Sequence, residues 1–267
     1  MLLDVGQGDA VLVQGRRGAL LVDAGLAVPD GPDLGAAVVV PALRALGVAR
    51  LDLVVASHAD LDHRGGLPAV LRTFPVDRLW LPHGAVGDPG FAELLAAARG
   101  AGVPVVEQGA GGRPLAVGDL RVEPLWPPPG ELAGSRNDRS LTLRIDVAGR
   151  RVLLPGDLEA GAEARLLAAG ADLRADVLKL GHHGSRTSSS AAWLAAVGAE
   201  VAIVSAPHAG RFGMPHPEVV ERTRGAGAAL WWTGRDGAVL IGLEPVLHVR
   251  GWRAGAGPAG DPQARLR

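Results

Sequence analysis

The 267-residue chain has no cysteine and no tyrosine, only three phenylalanines, and a formal net charge of −1. Without cysteine there is no disulfide and no thiolate metal site, but the compartment stays open, because a thiol-free chain survives anywhere. No apolar run reaches the roughly 18 residues needed to cross a bilayer, and no signal peptide stands at the start, so the chain as given reads as soluble. A balance this near zero supplies no overall field to attract polyanions. Any contact with nucleic acid would have to be local.

What is present is apolar material, 48% of the residues, enough for one large core or two modest ones. The abundance of Ala, Gly, Arg and Pro reads as base-composition bias and points to no function. Met1 stands just ahead of Asp4-Val5-Gly6-Gln7-Gly8-Asp9, which fits a domain cut from something larger. Arg253 to Arg267 carry almost no large apolar side chains and read as a tail, leaving residues 1–252 as a single domain.

Six residues stand out. His58-Ala59-Asp60-Leu61-Asp62-His63 packs two imidazoles and two carboxylates directly after the apolar run Leu51 to Ala56. In an extended chain residues 58, 60 and 62 point to one side, and His63 can join them as the backbone turns. Groups converging this tightly repel or lose hydration for nothing unless a divalent cation neutralises them. The alternative is a solvated polar loop, and ligand-type residues elsewhere in the chain weigh against it.

Those other residues emerge from an internal repeat. Val11-Leu12-Val13 and Ala19 to Val22 bracket a Gly15-Arg16-Arg17 turn and read as a hairpin ending in Asp23. Ser140 to Ile145, a Gly149-Arg150-Arg151 turn and Val152 to Pro155 repeat that pattern and end in Gly156-Asp157. Helical spacing follows in both cases, over Leu34 to Leu46 and over Ala160 to Ala169, with further helices at Phe91 to Arg99 and from Leu67. Next come strands from Leu51 and over Asp176 to Leu180, leading into His58 and His182-His183. Pro127 to Ser135 is a loop, and the strand-like Trp231-Trp232 reads as core. Two such halves would pack sheet on sheet with helices outside, an αββα sandwich of the α/β class. Asp23, the 58–63 cluster, Asp157 and the His pair would then share one rim.

His58-x-Asp60-x-Asp62-His63, Gly156-Asp157 and Leu180-Gly181-His182-His183-Gly184-Ser185 resemble the metallo-β-lactamase fold. Leu3-Asp4-Val5-Gly6-Gln7-Gly8-Asp9-Ala10, Asn137-x-x-Ser140 and Pro215-His216-Pro217 resemble one branch of it, the C-terminal domain of the bacterial competence DNA-uptake channel family, ComEC. The likeness runs from about Leu2 to Leu243. It implies a domain that follows a membrane channel portion of the same protein, favours the extracytoplasmic side, and acts as a nuclease on the DNA strand that is not imported during natural transformation.

The resemblance also implies roles. Asp62, His63 and one of His182 or His183 would hold one metal, and His58 with Asp60 a second, with Asp157 bridging. His183 is the expected ligand. His182 would contact substrate or shuttle a proton, and Asp62 would serve catalysis as well as the metal. The wider fold usually has histidine at position 60; aspartate there shifts the preference from Zn²⁺ toward Mn²⁺. It also has histidine where this chain has Asn137, a poorer ligand, so one strong and one weak site are expected. Asp23 would orient a ligand histidine rather than touch metal. Asn137, Ser140, Ser185, Arg186 and His216 are the expected substrate contacts, with Arg136, Arg139 and Arg211 as further cations. For His216 a capping role before Pro217 competes.

Three functions fit. A metal-dependent phosphodiesterase requires an open groove with several cations. A hydrolase of a small ester, thioester or lactone requires a closed apolar pocket. A non-enzymatic module docking to a membrane channel requires a fully coordinated structural metal.

Overall fold

Period-two alternation divides the apolar side chains of each strand between two faces, and each face meets a different partner. A computed structural model describes residues 1–130 and 134–253. One sheet holds β1 (Val11–Gln14), β2 (Ala19–Val22), β3 (Leu53–Val55), β4 (Leu79–Pro82) and β5 (Val105–Gln108) in that spatial order. β1 and β2 form the antiparallel hairpin, and β2 to β5 run parallel. The other sheet holds β6 (Leu115–Val117), β7 (Leu120–Trp126), β8 (Thr142–Val147), β9 (Arg150–Leu154), β10 (Val177–Lys179), β11 (Val201–Val204) and β12 (Ala229–Trp232), again in sequence order across the sheet. It is antiparallel from β6 to β9 and parallel from β9 to β12. A last hairpin, β13 (Val239–Gly242) with β14 (His248–Gly251), bridges back to Leu2.

Leu20, Val22, Leu53, Val55 and Trp80 face Val122, Leu143, Ile145, Val177, Ile203 and Trp231 across the gap between the sheets. Their strand neighbours Leu21, Val54 and Leu79 face the other way, onto α1 (Val40–Ala45), α3 (Leu67–Thr73) and α4 (Ala92–Gly100) through Leu43, Val70 and Leu94. On the far side Leu153, Leu178, Ala202 and Leu230 meet α5 (Ala160–Ala168), α6 (Ala191–Val197) and α7 (Pro217–Gly225) through Leu166, Trp193 and Val219. The fold is the expected αββα sandwich. The four-residue α2 (Leu61–Arg64) lies on the rim between β3 and α3.

Details differ from the sequence reading. The helix expected from Leu34 starts as a wide turn over Gly35–Val39 before α1, because Gly35 there lies against Gly66. In the second hairpin Ala148 and Gly149 make the turn, with φ of 54° and 70°; Arg150 and Arg151 already belong to β9. Arg253, read as the start of the tail, is tied to the fold: its guanidinium reaches Gly234 O and lies 3.1 Å from Asp4 Oδ2. The rest of that tail, 254–267, and positions 131–133 of the proline-rich loop lie outside the described residues.

In both sheets the parallel strands end on the same edge, so their following loops meet on one rim, where such sheets place their ligands. The rim closes down onto α3 through a backbone-to-backbone contact: a Cβ on Gly66 would stand 2.2 Å from Ala24 O and 2.6 Å from Gly35 Cα. Gly66→Ala therefore overpacks the junction at a cost of about 1–3 kcal/mol. The melting temperature should fall by several degrees in calorimetry, whereas an unchanged value would show that these backbones are not in contact.

Candidate metal centre

Loops at strand ends, with α2, deliver the site. Past β3 come Ser57 and His58; α2 carries Asp62 and His63; past β9 comes Asp157; past β10 come His182 and His183. The two histidines occupy consecutive left-handed backbone positions, φ 46° and 54°. Such positions cost a non-glycine residue about 1–3 kcal/mol each. The turn they make sends neighbouring imidazoles to different places: His183 is 1% exposed in the cluster, and His182 stands at the rim near Glu159 and Asn137.

Asp9 joins from the first loop. Gly8, with φ 120°, lies so close to α2 that a Cβ would stand 2.1 Å from Asp62 O. Asp9, His63, Asp157 and His183 thereby bring one donor atom each within 4.8 Å of one another, all buried.

The innermost three donors form a near-equilateral triangle. His63 Nε2 is 3.2 Å from His183 Nε2 and 3.2 Å from Asp157 Oδ2, and His183 Nε2 is 3.3 Å from the same oxygen. The opposite ring nitrogens are engaged: His63 Nδ1 lies 2.8 Å from Asp23 Oδ2, and His183 Nδ1 lies 3.0 Å from Ser205 O. Both partners are acceptors, so each Nδ1 carries the proton and donates, leaving each neutral ring only a lone pair at Nε2. With both rings neutral, three lone pairs would face one another with no proton between them. Tetrahedral Zn²⁺ coordination at about 2.0–2.1 Å gives ligand edges of about 3.3 Å, so the triangle fits a divalent ion.

The electrostatics show the same demand for positive charge, met by protons on the rings when no metal is bound. Burial opposes charge on His183, but Asp157 above all, with Asp62 and Asp9, outweighs it and raises its pKa to about 9. His63 is likewise held well above the usual imidazole range, against its burial, by Asp157 and Asp23. Burial works against ionised Asp157, yet His183, His63 and Lys179 hold it well below the carboxylate range. Asp62 is lowered for similar reasons, burial being overcome by His183 and His63. His58 goes the other way. Burial, reinforced by the charge of His63, brings it down to about 3, so it is a neutral ring, and its buried Nε2 has no hydrogen-bond partner. That nitrogen lies 3.7 Å from Asp60 Oδ2, and the ring centroid is 4.2 Å from that of His63.

Asp60 also meets Arg136 at 3.5 Å, and Asp62 Oδ2 is 3.6 Å from His183 Nε2. Asp23 is fully buried and accepts the Ser57 N–H and hydroxyl at 2.7 and 2.6 Å, besides His63. Asn137 Nδ2 is 3.4 Å from His182 Nδ1. Ser140, expected to touch substrate, is fully buried and accepts the Asp157 N–H at 3.0 Å; it holds the loop, and substrate cannot reach it. Ser185 is also buried, its hydroxyl 3.0 Å from that of Thr187. Arg186 does not line the groove over the centre. It is exposed beside Glu218 at 3.5 Å, and its backbone N–H donates to His216 Nδ1 at 3.2 Å. Among the described residues the arginine that lines the groove is Arg211.

Two residues of the centre escape the sequence reading. Asp9 lay inside a quoted motif but carried no spacing signal of its own. Lys179, at the end of β10, looks like an ordinary strand lysine, yet it is 1% exposed. Its ammonium pairs with Asp9 Oδ2 and reaches Gly156 O at 3.0 Å and Asp157 Oδ1 at 3.3 Å.

The family model of the metallo-β-lactamase superfamily matches residues 3–208. The chain belongs to that superfamily. The metallo-β-lactamase fold binds divalent metals, and here a buried Asp/His cluster stands at the rim. Within the superfamily the chain is similar to ComE operon protein 3 of Bacillus subtilis (strain 168), 33% identical over 250 residues, 89% of this chain and 32% of that protein. It is similar to competence protein ComA of Neisseria gonorrhoeae, 36% over 244 residues, 90% of this chain and 31% of that one. Recombination protein 2 of Haemophilus influenzae is 31% identical over 242 residues, 90% of this chain and 28% of that one. The ComEC resemblance thus holds over nine-tenths of the chain, which spans about a third of the length of these relatives. Among solved structures, CmlA, a diiron β-hydroxylase from Streptomyces venezuelae, shares the fold with a TM-score of 0.55 at 17% identity, over 86% of this chain and 52% of that one. Among the described residues no helix is long and apolar enough to cross a membrane.

Removing the buried cation should be costly. Lys179→Met removes the ammonium paired with Asp9 and one of three cationic groups beside Asp157, a loss of about 3–5 kcal/mol and a fall in melting temperature on the order of 10 °C without metal. A saturating divalent ion should restore part of it; a melting temperature equal to wild type in EDTA would contradict the pairing. A second expectation concerns protons. Without metal, Asp157 favours the charged forms of His63 and His183, and a divalent ion must displace protons from this pair. Affinity should therefore rise with pH up to about 9 and fall as pH drops. Calorimetry in buffers of differing ionisation enthalpy should show proton release on binding, and pH-independent affinity would contradict it.

Proposed function

We propose that this domain is a metal-dependent phosphodiesterase whose substrate is DNA, the strand left outside during natural transformation. The observation that carries the reading is the shape of the site. An open groove of about 780 Å³ runs over Asp62, Asp157 and His183, with His182, Asn137 and Arg211 along its walls. An elongated polyanion can lie in such a groove. A small ester would be better served by a closed apolar pocket, and a structural metal would not need donors facing an open groove.

In this reading Asp62, His63, Asp157 and His183 would hold the stronger ion, and His58 and Asp60 a weaker one. The carboxylate-rich donor set suits Mn²⁺ as well as Zn²⁺. When bound, the cation supplies a water nucleophile at neutral pH and offsets charge on the phosphoryl group. The chain's own groups do the rest. Asp23 and Ser205 O fix the tautomers of His63 and His183, and Lys179 holds Asp157 Oδ1 so that Oδ2 faces the histidines. His182 Nδ1, 3.3 Å from Glu159 Oε1, is oriented to give a proton to the departing oxygen. We place the domain beside a membrane channel portion of a longer protein, on its extracytoplasmic side; the competence names and the greater length of the relatives support its belonging to a longer competence protein.

Purified protein incubated with end-labelled single- and double-stranded DNA should cleave with Mn²⁺ or Zn²⁺, stop in chelator, and lose at least about 100-fold with Asp157→Asn. Binding should weaken steeply with salt, and Arg211→Ala should reduce the salt slope by about one while Arg186→Ala leaves it unchanged. Cleavage of equal rate in the Asp157→Asn protein would sink the reading.

A further inference from the structure

Aromatic side chains are scarce here and nearly all are spent on the cores. Phe74 and Phe91 are 7% and 2% exposed, and Trp80, Trp126, Trp193 and Trp231 are all buried. Trp232 stacks on His208 and donates its indole N–H to Ala206 O. Two exceptions remain. Trp252 stands past the end of β14 and does not line the groove. Phe212 does line it, and is 47% exposed.

Phe212 sits on the loop between β11 and α7, on the same rim as the donor cluster. The ends of that loop are fastened: Ala206 O accepts the Trp232 indole at 2.7 Å, and the His216 N–H donates to Gly184 O at 2.9 Å. Between them a turn closes from Gly210 to Gly213, which presents residues 211 and 212 at its tip. The Arg211 guanidinium lies over the phenyl ring, 4.5 Å from its centroid. One face of the ring is thus backed by a cation, and the residue remains about half exposed at the groove wall. An exposed apolar ring gains nothing for the fold, so its value lies in what it can meet.

We propose that Phe212 is a stacking platform for an unpaired nucleobase of the substrate strand, with Arg211 bracing the ring from behind and drawing in the adjoining phosphate. The proposal rests on the phosphodiesterase reading and sharpens it. A nucleotide chain with one phosphate at the donor cluster carries its bases along the groove, and every base has a face that an aromatic ring can hold, so the contact is tolerant of sequence. A paired base has its faces covered by its neighbours in the helix. The site therefore selects single-stranded over double-stranded DNA by access to a base face.

The test is binding and cleavage of a short single-stranded oligonucleotide carrying 2-aminopurine, by the full chain and by Phe212→Ala, Phe212→Leu and Phe212→Trp. Phe212 is exposed, and folding of each variant is checked by its melting temperature. In chelator, where nothing is cut, the wild type should quench the 2-aminopurine. Phe212→Ala and Phe212→Leu should lose the quench and weaken binding about tenfold, and Phe212→Trp should keep both. With metal, Phe212→Ala should raise KM for the oligonucleotide with little change in kcat, and an abasic oligonucleotide should be cut alike by wild type and Phe212→Ala. Quenching without any cleavage would support the platform and sink the nuclease reading. Cleavage with quench and KM unchanged in Phe212→Ala would overturn the platform alone. A Phe212→Ala defect seen only with p-nitrophenyl butyrate would also overturn it, assigning the ring to an acyl group.

Discussion

Two imidazoles and a carboxylate meet at the centre of this domain, where their inward atoms must share protons or a cation, and much else is arranged around that meeting. His63 and His183 are both drawn to Asp157, but their own inward nitrogens stand only 3.2 Å apart. They are held because the far side of each is already committed: His63 to Asp23, His183 to a backbone carbonyl, Asp157 to Lys179 and to a loop fixed by Ser140. The demand for positive charge at this point is built into the hydrogen-bond pattern and does not depend on any one residue's affinity for metal.

Lys179 meets part of that demand permanently. A fixed ammonium among Asp9 and Asp157 lowers the charge left for ions to neutralise, and it does so from the side away from the groove. Any further cation is thereby directed to the groove side. Among the described residues the groove side combines the donors with the Asn137 amide, the rim imidazole of His182 and the guanidinium of Arg211. On the phosphodiesterase proposal, that local mixture is how a chain with net charge −1 would engage a polyanion.

The sandwich and much of the centre were legible in the sequence, because their signals are local. The hairpins ending in Asp23 and Asp157 repeat within short windows, and His58 to His63 is a single hexapeptide. Asp9 and Lys179 were not legible, since their pairing joins positions 170 residues apart and neither is unusual among its neighbours. Ser140 and Ser185 mislead for a related reason. A hydroxyl beside a motif looks the same whether it faces substrate or holds the loop that carries the motif, and only burial separates the cases. Arg186 follows the His pair at once, yet the left-handed turn at His182 and His183 redirects the chain, and Arg186 ends beside Glu218.

The duplicated architecture has a consequence for assembly. Asp9 and His63 come from the first half of the chain, and Asp157 and His183 from the second, so neither half holds more than two of the four buried donors. Contacts of such sequence separation form late, after the loop-closure entropy between the halves has been overcome. The ion-binding centre therefore comes into being only when the two sheets have docked face to face. Metal occupancy then reports completion of the whole sandwich, and an ion that binds there acts as a clasp between two halves that each have their own helical layer.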